Sequence, residues 1–412
     1  MTLKEQAKKA KQASYALIEI NSKQINDALL LIAKKLEEKT DYITRENQKD
    51  MQEATLSGME SSKIDRLKLD NNRISQIAKD VRNVANLPDV VGDFTGFTRA
   101  DGLEITKISV PLGVVGMIYE SRPNVTVDAA VLCLKSANAT LLRGGKEAKH
   151  SNHALVTVIK EAIVEAGLPA DAVMLVADTS RETVLEMMKL DEYLDLLIPR
   201  GGANLIKTVK ENATVPIIET GTGNCHIYIH EEADEKMAID IIKNAKIERP
   251  SVCNACESIV IDEMIASTIL PKLFDELKAH NVKLKGCEKT VEIINIPLAT
   301  SEDFYTEYND LIATIKIVEN AAIAITHINE HSTKHSEAII TNNHRVAKTF
   351  LKLIDSACVY HNASTRFSDG SELGFGAEIG ISTQKLHARG PFALKELTTY
   401  KYIITGQGHI RP

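Results

Sequence analysis

The chain has 412 residues, 44% hydrophobic and 25% charged, the proportions of an ordinary globular protein of about two to four domains. Its 49 basic and 56 acidic residues leave a net charge of −7, which argues against a nucleic-acid or membrane-surface protein. No apolar run reaches the ~18–20 residues that span a bilayer, and the six scattered cysteines (Cys133, Cys225, Cys253, Cys256, Cys287, Cys358) do not read as a disulfide scaffold, so a reducing, cytoplasmic setting is expected.

The opening MTLKEQAKKAKQASYAL reads as an amphipathic helix rather than a signal peptide. Ile25, Leu29, Ile32 and Leu36 recur at helical spacing, and residues 72–87 repeat the pattern, so the first hundred residues are predicted helical. The texture changes near residue 101. LEITKISVPLGVVGMIYE, rich in β-branched residues, predicts a strand or hairpin and then a buried strand ending near Tyr119. An α/β rhythm follows: TLLRGG, AVMLVA, LDLLIPRGG and VPIIET as strands, separated by apolar helices. Such alternation implies a parallel sheet built from right-handed crossovers. After the Gly-rich ETGTGN the rhythm restarts, predicting a second α/β domain with strands HIYIHE, ESIVID, IATIKIV, EAIIT and ACVYHN. The closing ELTTYKYIITGQGHIRP has strand composition and needs a partner sheet.

Two consecutive α/β units with a Gly-rich junction suggest a nucleotide-binding domain beside a catalytic one, yet the G-x-G-x-x-G fingerprint is absent. Gly144-Gly145-Lys146 resembles the end of a P-loop, but Thr140 and Glu147 stand where that motif needs Gly and Ser/Thr, which excludes a kinase or ATPase on this count. A Gly-Gly-Lys turn can bring backbone N–H groups and a cation to a phosphate, or simply end a strand. Cys253 and Cys256 form one C-x-x-C with no second pair for zinc; they read as a nucleophile plus a packing cysteine, or as two structural cysteines. His327, His331 and His335 lie four apart, but Ser332 and Thr333 end the helix between them, so no metal site is expected. Glu219, after the apolar VPII, is placed to act as a base or to cap the following turn.

Taken together, PLGVVGMIYESRPNVTVDAA, LRGGKEA, IPRGGANLI, ETGTGNCHIYI, RPSVCNACES, TRFSDGSELGFGAEIGISTQKLHARGP and LTTYKYIITGQGHIRP resemble the aldehyde dehydrogenase superfamily over essentially the whole chain. The closest likeness is to its branch that works on an acyl phosphate. Arg122-Pro123-Asn124 stands where ordinary members carry Trp-Asn, and Arg143-Gly144-Gly145-Lys146-Glu147 where they carry Lys-Pro-Ser-Glu.

The resemblance implies an α/β, aldehyde dehydrogenase-like fold. Residues 1–100 and 111–222 would form a Rossmann-like cofactor domain, 223–390 an α/β catalytic domain, and 101–110 with 395–412 a small oligomerisation sheet. It implies roles by position: Cys253 as nucleophile, Asn124 as oxyanion-hole amide, Glu219 where hydrolytic relatives keep a base, Lys146 and Arg143 near the adenosine ribose or its 2′-phosphate, Gly201 and Gly202 near the pyrophosphate, and Glu307 on the nicotinamide ribose. Asn309 stands where the family more often has Leu. The implied activity is NADPH-dependent reduction of L-glutamyl 5-phosphate to L-glutamate 5-semialdehyde through a Cys thioester, in proline biosynthesis. Implied partners are the small-molecule substrate, the glutamate 5-kinase that makes it, and further copies of the chain as a dimer or tetramer. Arg122, Arg249, Arg366 and Arg389, all within the quoted segments, are candidates for the substrate's anionic groups. An oxidative aldehyde dehydrogenase and a non-catalytic partner of the kinase are the competing readings.

Overall fold

The computed structural model describes residues 1–374 and 377–411. Phe375 and Gly376, inside the quoted TRFSDGSELGFG, and Pro412, at the end of the expected oligomerisation segment, lie outside the described residues. The chain forms two compact units. The first holds Met1–Thr220 with two later pieces, one ending at Gly380 and one beginning at Phe392; the second holds Gly221–Gly374 and Ile381–Pro391. The division falls inside ETGTGN.

The first unit opens with helices Leu3–Ile18, Ser22–Glu38, Thr40–Leu56, Ser61–Leu67 and Asn71–Ala85. Their starts follow capping chemistry. Thr2 and Glu5 form a reciprocal box, and Asn21 and Asp70 accept from the backbone N–H groups of Gln24 and Arg73. Ile25, Leu29, Ile32 and Leu36 are buried, as their spacing predicts. The sheet of this unit has four parallel strands in the order Val173–Leu175, Ala139–Gly144, Val114–Tyr119, Leu196–Arg200. Every residue of the two middle strands is buried. Burial on both faces is why they read as apolar runs rather than alternations. The chain leaves Val114–Tyr119 toward one side of the sheet and returns on the other, so a topological switch point lies at the carboxyl ends of Val114–Tyr119 and Leu196–Arg200.

Two local predictions need correction. VPIIET does not form a regular strand: it makes one isolated parallel bridge, Leu197 with Ile217, and Pro216 has no N–H with which to extend a ladder. Residues 94–98, within the stretch predicted helical, form a strand. FTGFT, two aromatic and two β-branched residues around Gly96, pairs antiparallel with Glu104–Pro111, Phe94 opposite Ile108. Thr398–Thr405 pairs on the other side, completing a three-stranded sheet. That sheet is exposed, with Phe94 at 69% and Tyr402 at 58% of full solvent exposure.

The second unit is built on six parallel strands in the order Cys358–His361, Ser336–Ile340, Cys225–Ile229, Cys256–Asp262, Ile312–Val318, Lys283–Gly286. A continuous core of Ile227, Ile229, Ile242, Ile259, Ile261, Ile269 and Leu273 binds the sheet to helices Glu235–Ile247 and Glu263–Ala279. Helix Ala321–His331 ends before His335, and among the described residues no cluster of His, Cys, Asp or Glu is arranged to hold a metal. Among the described residues no helix is long and apolar enough to cross a membrane.

Candidate active site

The candidate residues fall into two groups. Asn124, Arg143, Lys146, Gly201, Gly202 and Glu219 belong to the first unit, Cys253 and Glu307 to the second.

In the second unit the groups gather at the amino-terminal edge of the sheet, the opposite of the usual α/β rule. Cys253 sits in the turn between helix Glu235–Ile247 and strand Cys256–Asp262, and it is partly exposed. Cys256 starts that strand and is completely buried, and burial pushes its thiol up to about 12. One thiol of the C-x-x-C is therefore accessible and the other is core, as a nucleophile with a packing cysteine requires. Gly223 meets the Cys253 turn so closely that a Cβ would lie 1.5 Å from the Cys253 carbonyl oxygen. No side chain fits there, which explains this glycine of ETGTGN. The same Gly223 donates its N–H to Glu307 Oε1 at 2.7 Å. One glycine thus joins the candidate nucleophile to the candidate ribose acid.

The turn is anchored on both sides. The Cys225 thiol donates to the Cys253 carbonyl at 3.2 Å. Asn254, wholly buried, donates to the Arg366 carbonyl at 3.3 Å and to Asp369 Oδ1 at 3.0 Å, and its carbonyl accepts from Thr365 at 2.7 Å. Deeper lies an ion pair with no exposed part: Lys246 Nζ to Glu257 Oε2 at 2.6 Å. Burial pushes the Glu257 carboxyl up, and Lys246 pulls it partway back. Glu257 Oε1 accepts from the Asn309 N–H at 3.1 Å, which fixes Asn309 in its left-handed conformation (φ 56°) two residues from Glu307. Burial raises Glu307 as well, opposed by the Gly223 N–H. Asn224 extends the frame, donating to the carbonyls of Phe304 at 2.8 Å and His331 at 2.9 Å.

In the first unit the groups lie at the carboxyl ends of the parallel strands. Arg143, next to last in Ala139–Gly144, has its guanidinium on the carbonyls of Thr179 and Ser180, while its buried Nε has no hydrogen-bond partner among the described residues. Lys146 is exposed and makes no ion pair among the described residues. A cleft of about 400 Å³ runs beside this strand end, lined by Gly144, Gly145, Lys149, His153 and Lys160 among others. Lys160 is half-buried, with its ammonium 3.5 Å from the Met174 sulfur; burial lowers its pKa and Asp171 opposes the fall. Arg143, Lys146, Lys149 and Lys160 make no ion pair among the described residues, although Glu46 also lines the cleft, and such cations suit an anionic ligand such as a dinucleotide.

At the switch point Glu120 Oε2 accepts the Gly202 N–H at 2.9 Å, and a Cβ on Gly201 would fall 2.4 Å from that oxygen. The Gly201–Gly202 turn therefore already receives a carboxylate, which a pyrophosphate at this turn would have to displace. Glu219 Oε1 pairs with Lys210 at 3.1 Å. Asn124 opens helix Asn124–Lys135 and donates Nδ2–H to Asp128 Oδ2 at 3.0 Å. Sequence reading passed over Glu120, Asp128 and the Lys246–Glu257 pair. The four-residue step from Asn124 to Asp128 was the only visible signal among them. Of the candidate arginines, Arg389 is engaged by Asp355 at 2.8 Å and Arg366 by Asn254 and Asp369, whereas Arg249 is exposed and makes no ion pair among the described residues.

The chain has two parallel α/β units and a glycine-clamped, accessible cysteine, and the sequence pattern of the Aldehyde dehydrogenase family matches residues 2–295. The chain belongs to that family. Within it, the chain is 56% identical to a protein named Gamma-glutamyl phosphate reductase from Caldicellulosiruptor bescii, over 99% of both chains. It is 55% identical to one of the same name from Clostridium perfringens, over 98% of both. The crystal structure of Gamma-glutamyl phosphate reductase from Thermotoga maritima, 49% identical, superimposes with a TM-score of 0.97 over 99% of both chains. The fold is aldehyde dehydrogenase-like, as the motifs imply.

Proposed function

We propose that the protein reduces L-glutamyl 5-phosphate to L-glutamate 5-semialdehyde and phosphate, with NADPH as reductant, as a step in proline biosynthesis. The observation that carries this reading is the accessible Cys253 beside Glu307 on a shared glycine, in a chain similar along its whole length to enzymes named for that substrate.

The Cys253 thiolate attacks the γ-acyl carbon. The Cys253–acyl bond forms, the acyl–oxygen bond breaks, and phosphate leaves with its electron pair, giving a thioester. The Asn124 side-chain N–H and the Cys253 backbone N–H meet the charge that develops on the carbonyl oxygen. The hydride that reduces the thioester would come from a nicotinamide cofactor when one is bound. Collapse of the resulting hemithioacetal frees the aldehyde and returns the electron pair to Cys253. Glu307 would hold the nicotinamide ribose, and Arg143 and Lys146 the adenosine ribose and its 2′-phosphate. Arg249 is the best candidate for the substrate's phosphate. Lys210 on Glu219 supports a role for Glu219 in holding its turn rather than in activating water, which would hydrolyse the thioester.

The exposed three-stranded sheet, bearing Phe94, Phe97, Tyr400 and Tyr402, supports assembly with a second copy through this sheet. Sedimentation should then show an oligomer that Tyr402→Lys weakens; a monomeric wild type contradicts this. The lability of an acyl phosphate favours direct contact with glutamate 5-kinase, which co-purification of the two enzymes checks.

The activity is tested by supplying glutamate 5-semialdehyde, phosphate and NADP, and following cofactor reduction in the reverse direction. Turnover that requires phosphate is expected. Fast oxidation of plain aldehydes without phosphate would instead establish the oxidative reading.

A further inference from the structure

Asn124 and Asp128 lie one turn apart on the same face of helix Asn124–Lys135, and the Asn124 amide donates one of its two N–H groups to Asp128 Oδ2 at 3.0 Å. We infer that Asp128 is a positioning residue, which fixes the rotation of the Asn124 amide so that its other N–H, and not its oxygen, is presented to the reacting carbonyl. The inference rests on the reading of Asn124 as oxyanion donor.

The physical case turns on the symmetry of a side-chain amide. Its N–H₂ and C=O ends are nearly the same shape, so packing alone holds them poorly apart. A carboxylate accepts only, so an ionised Asp128 demands the N–H₂ end. A protonated Asp128 can donate its O–H to the Asn124 oxygen instead. The amide then turns over, and its oxygen lone pair opposes the developing negative charge where an N–H should meet it. Only the ionised form selects the productive amide.

The setting makes that ionisation sensitive to pH. Burial raises Asp128 to about 7, and the Asn124 N–H pulls against the rise. The charged groups facing it are Asp80 from helix Asn71–Ala85 and Glu378, which both raise it, and Arg200 at the end of Leu196–Arg200, which lowers it. Asp80 is itself raised by burial and accepts from Gln76 at 2.8 Å. A carboxylate that merely stabilised the helix would face no such requirement to ionise.

The test compares single-turnover acylation of wild type, Asp128→Asn and Asp128→Ala across pH. Losing an oxyanion donor outright costs about 10²–10³-fold, so leaving its orientation unfixed costs less, about 10–100-fold for Asp128→Ala, in kcat and not in the KM for NADPH. Asp128→Asn keeps an acceptor oxygen but cannot titrate. The ratio of wild-type to Asp128→Asn rates should therefore rise with pH through about 7, a comparison in which the ionisation of Cys253 cancels. A flat ratio, or Asp128→Ala within twofold of wild type, overturns the inference. Thermal melting and NADPH binding of each variant separate misfolding from misorientation. If Asp128→Asn folds and Asp128→Ala does not, the pH ratio decides alone. Failure of the underlying reading looks different: wild type itself then shows no phosphate-dependent turnover, or Asn124→Ala retains it.

Discussion

The two units hold their candidate residues in different ways. In the first, the groups sit at the carboxyl edge of a four-stranded sheet with few contacts: Arg143 on two carbonyls, Glu120 on the Gly202 N–H, and Lys146 exposed. In the second, they sit at the amino-terminal edge of a six-stranded sheet, where Lys246 pairs with buried Glu257, Glu257 accepts the Asn309 N–H, and Glu307, two residues before Asn309, accepts the N–H of the Gly223 that abuts Cys253. Loops at strand ends leave backbone N–H groups and cations open to a ligand, whereas the buried frame of the second unit holds the Cys253 turn through several contacts at once. Substitutions in the first unit are thus expected to spare stability, and those in the buried frame of the second to cost it.

The largest effect should follow from breaking the second frame. Lys246→Met leaves Glu257 buried without its partner, a loss of about 3–5 kcal/mol of stability. Glu257 already titrates above its ordinary 4.5, so the native state keeps a proton that the unfolded chain releases. Stability therefore falls as pH rises above that value, and falls further in the variant, which denaturant titrations at several pH values can follow. Next is Asn124→Ala, expected to cost about 10²–10³-fold in kcat with the melting temperature little changed. The smallest effect belongs to the first unit. Lys146→Ala should raise the KM for NADPH about tenfold, leave that for NADH unchanged and leave stability untouched. A fall in stability from Lys146→Ala, or none from Lys246→Met, would erase the contrast between the units.

The elements most legible in the sequence were those whose periodicity is imposed by burial. Ile25, Leu29, Ile32 and Leu36 mark their helix because one face is core, and TLLRGG and ESIVID read as strands because both faces are covered. FTGFT was lost because an exposed strand carries no such imprint. VPIIET was over-read because Val215 and Ile218 are buried without a ladder beyond one bridge. Among the site residues, Cys253 and Glu307 could be named from motif position, but the glycine that joins them could not, since its reason is the missing Cβ of Gly223 against a turn thirty residues away in sequence. Lys246 and Glu257 looked like ordinary helix and strand-edge charges; only folding shows that neither touches water.

The central claim concerns one sulfur. Incubating the protein with glutamate 5-semialdehyde and NADP in the absence of phosphate should yield one equivalent of reduced cofactor per chain and leave the glutamyl group on the peptide carrying Cys253, released on adding phosphate. A glutamyl group on Cys256, or undiminished turnover by Cys253→Ala, would contradict the account.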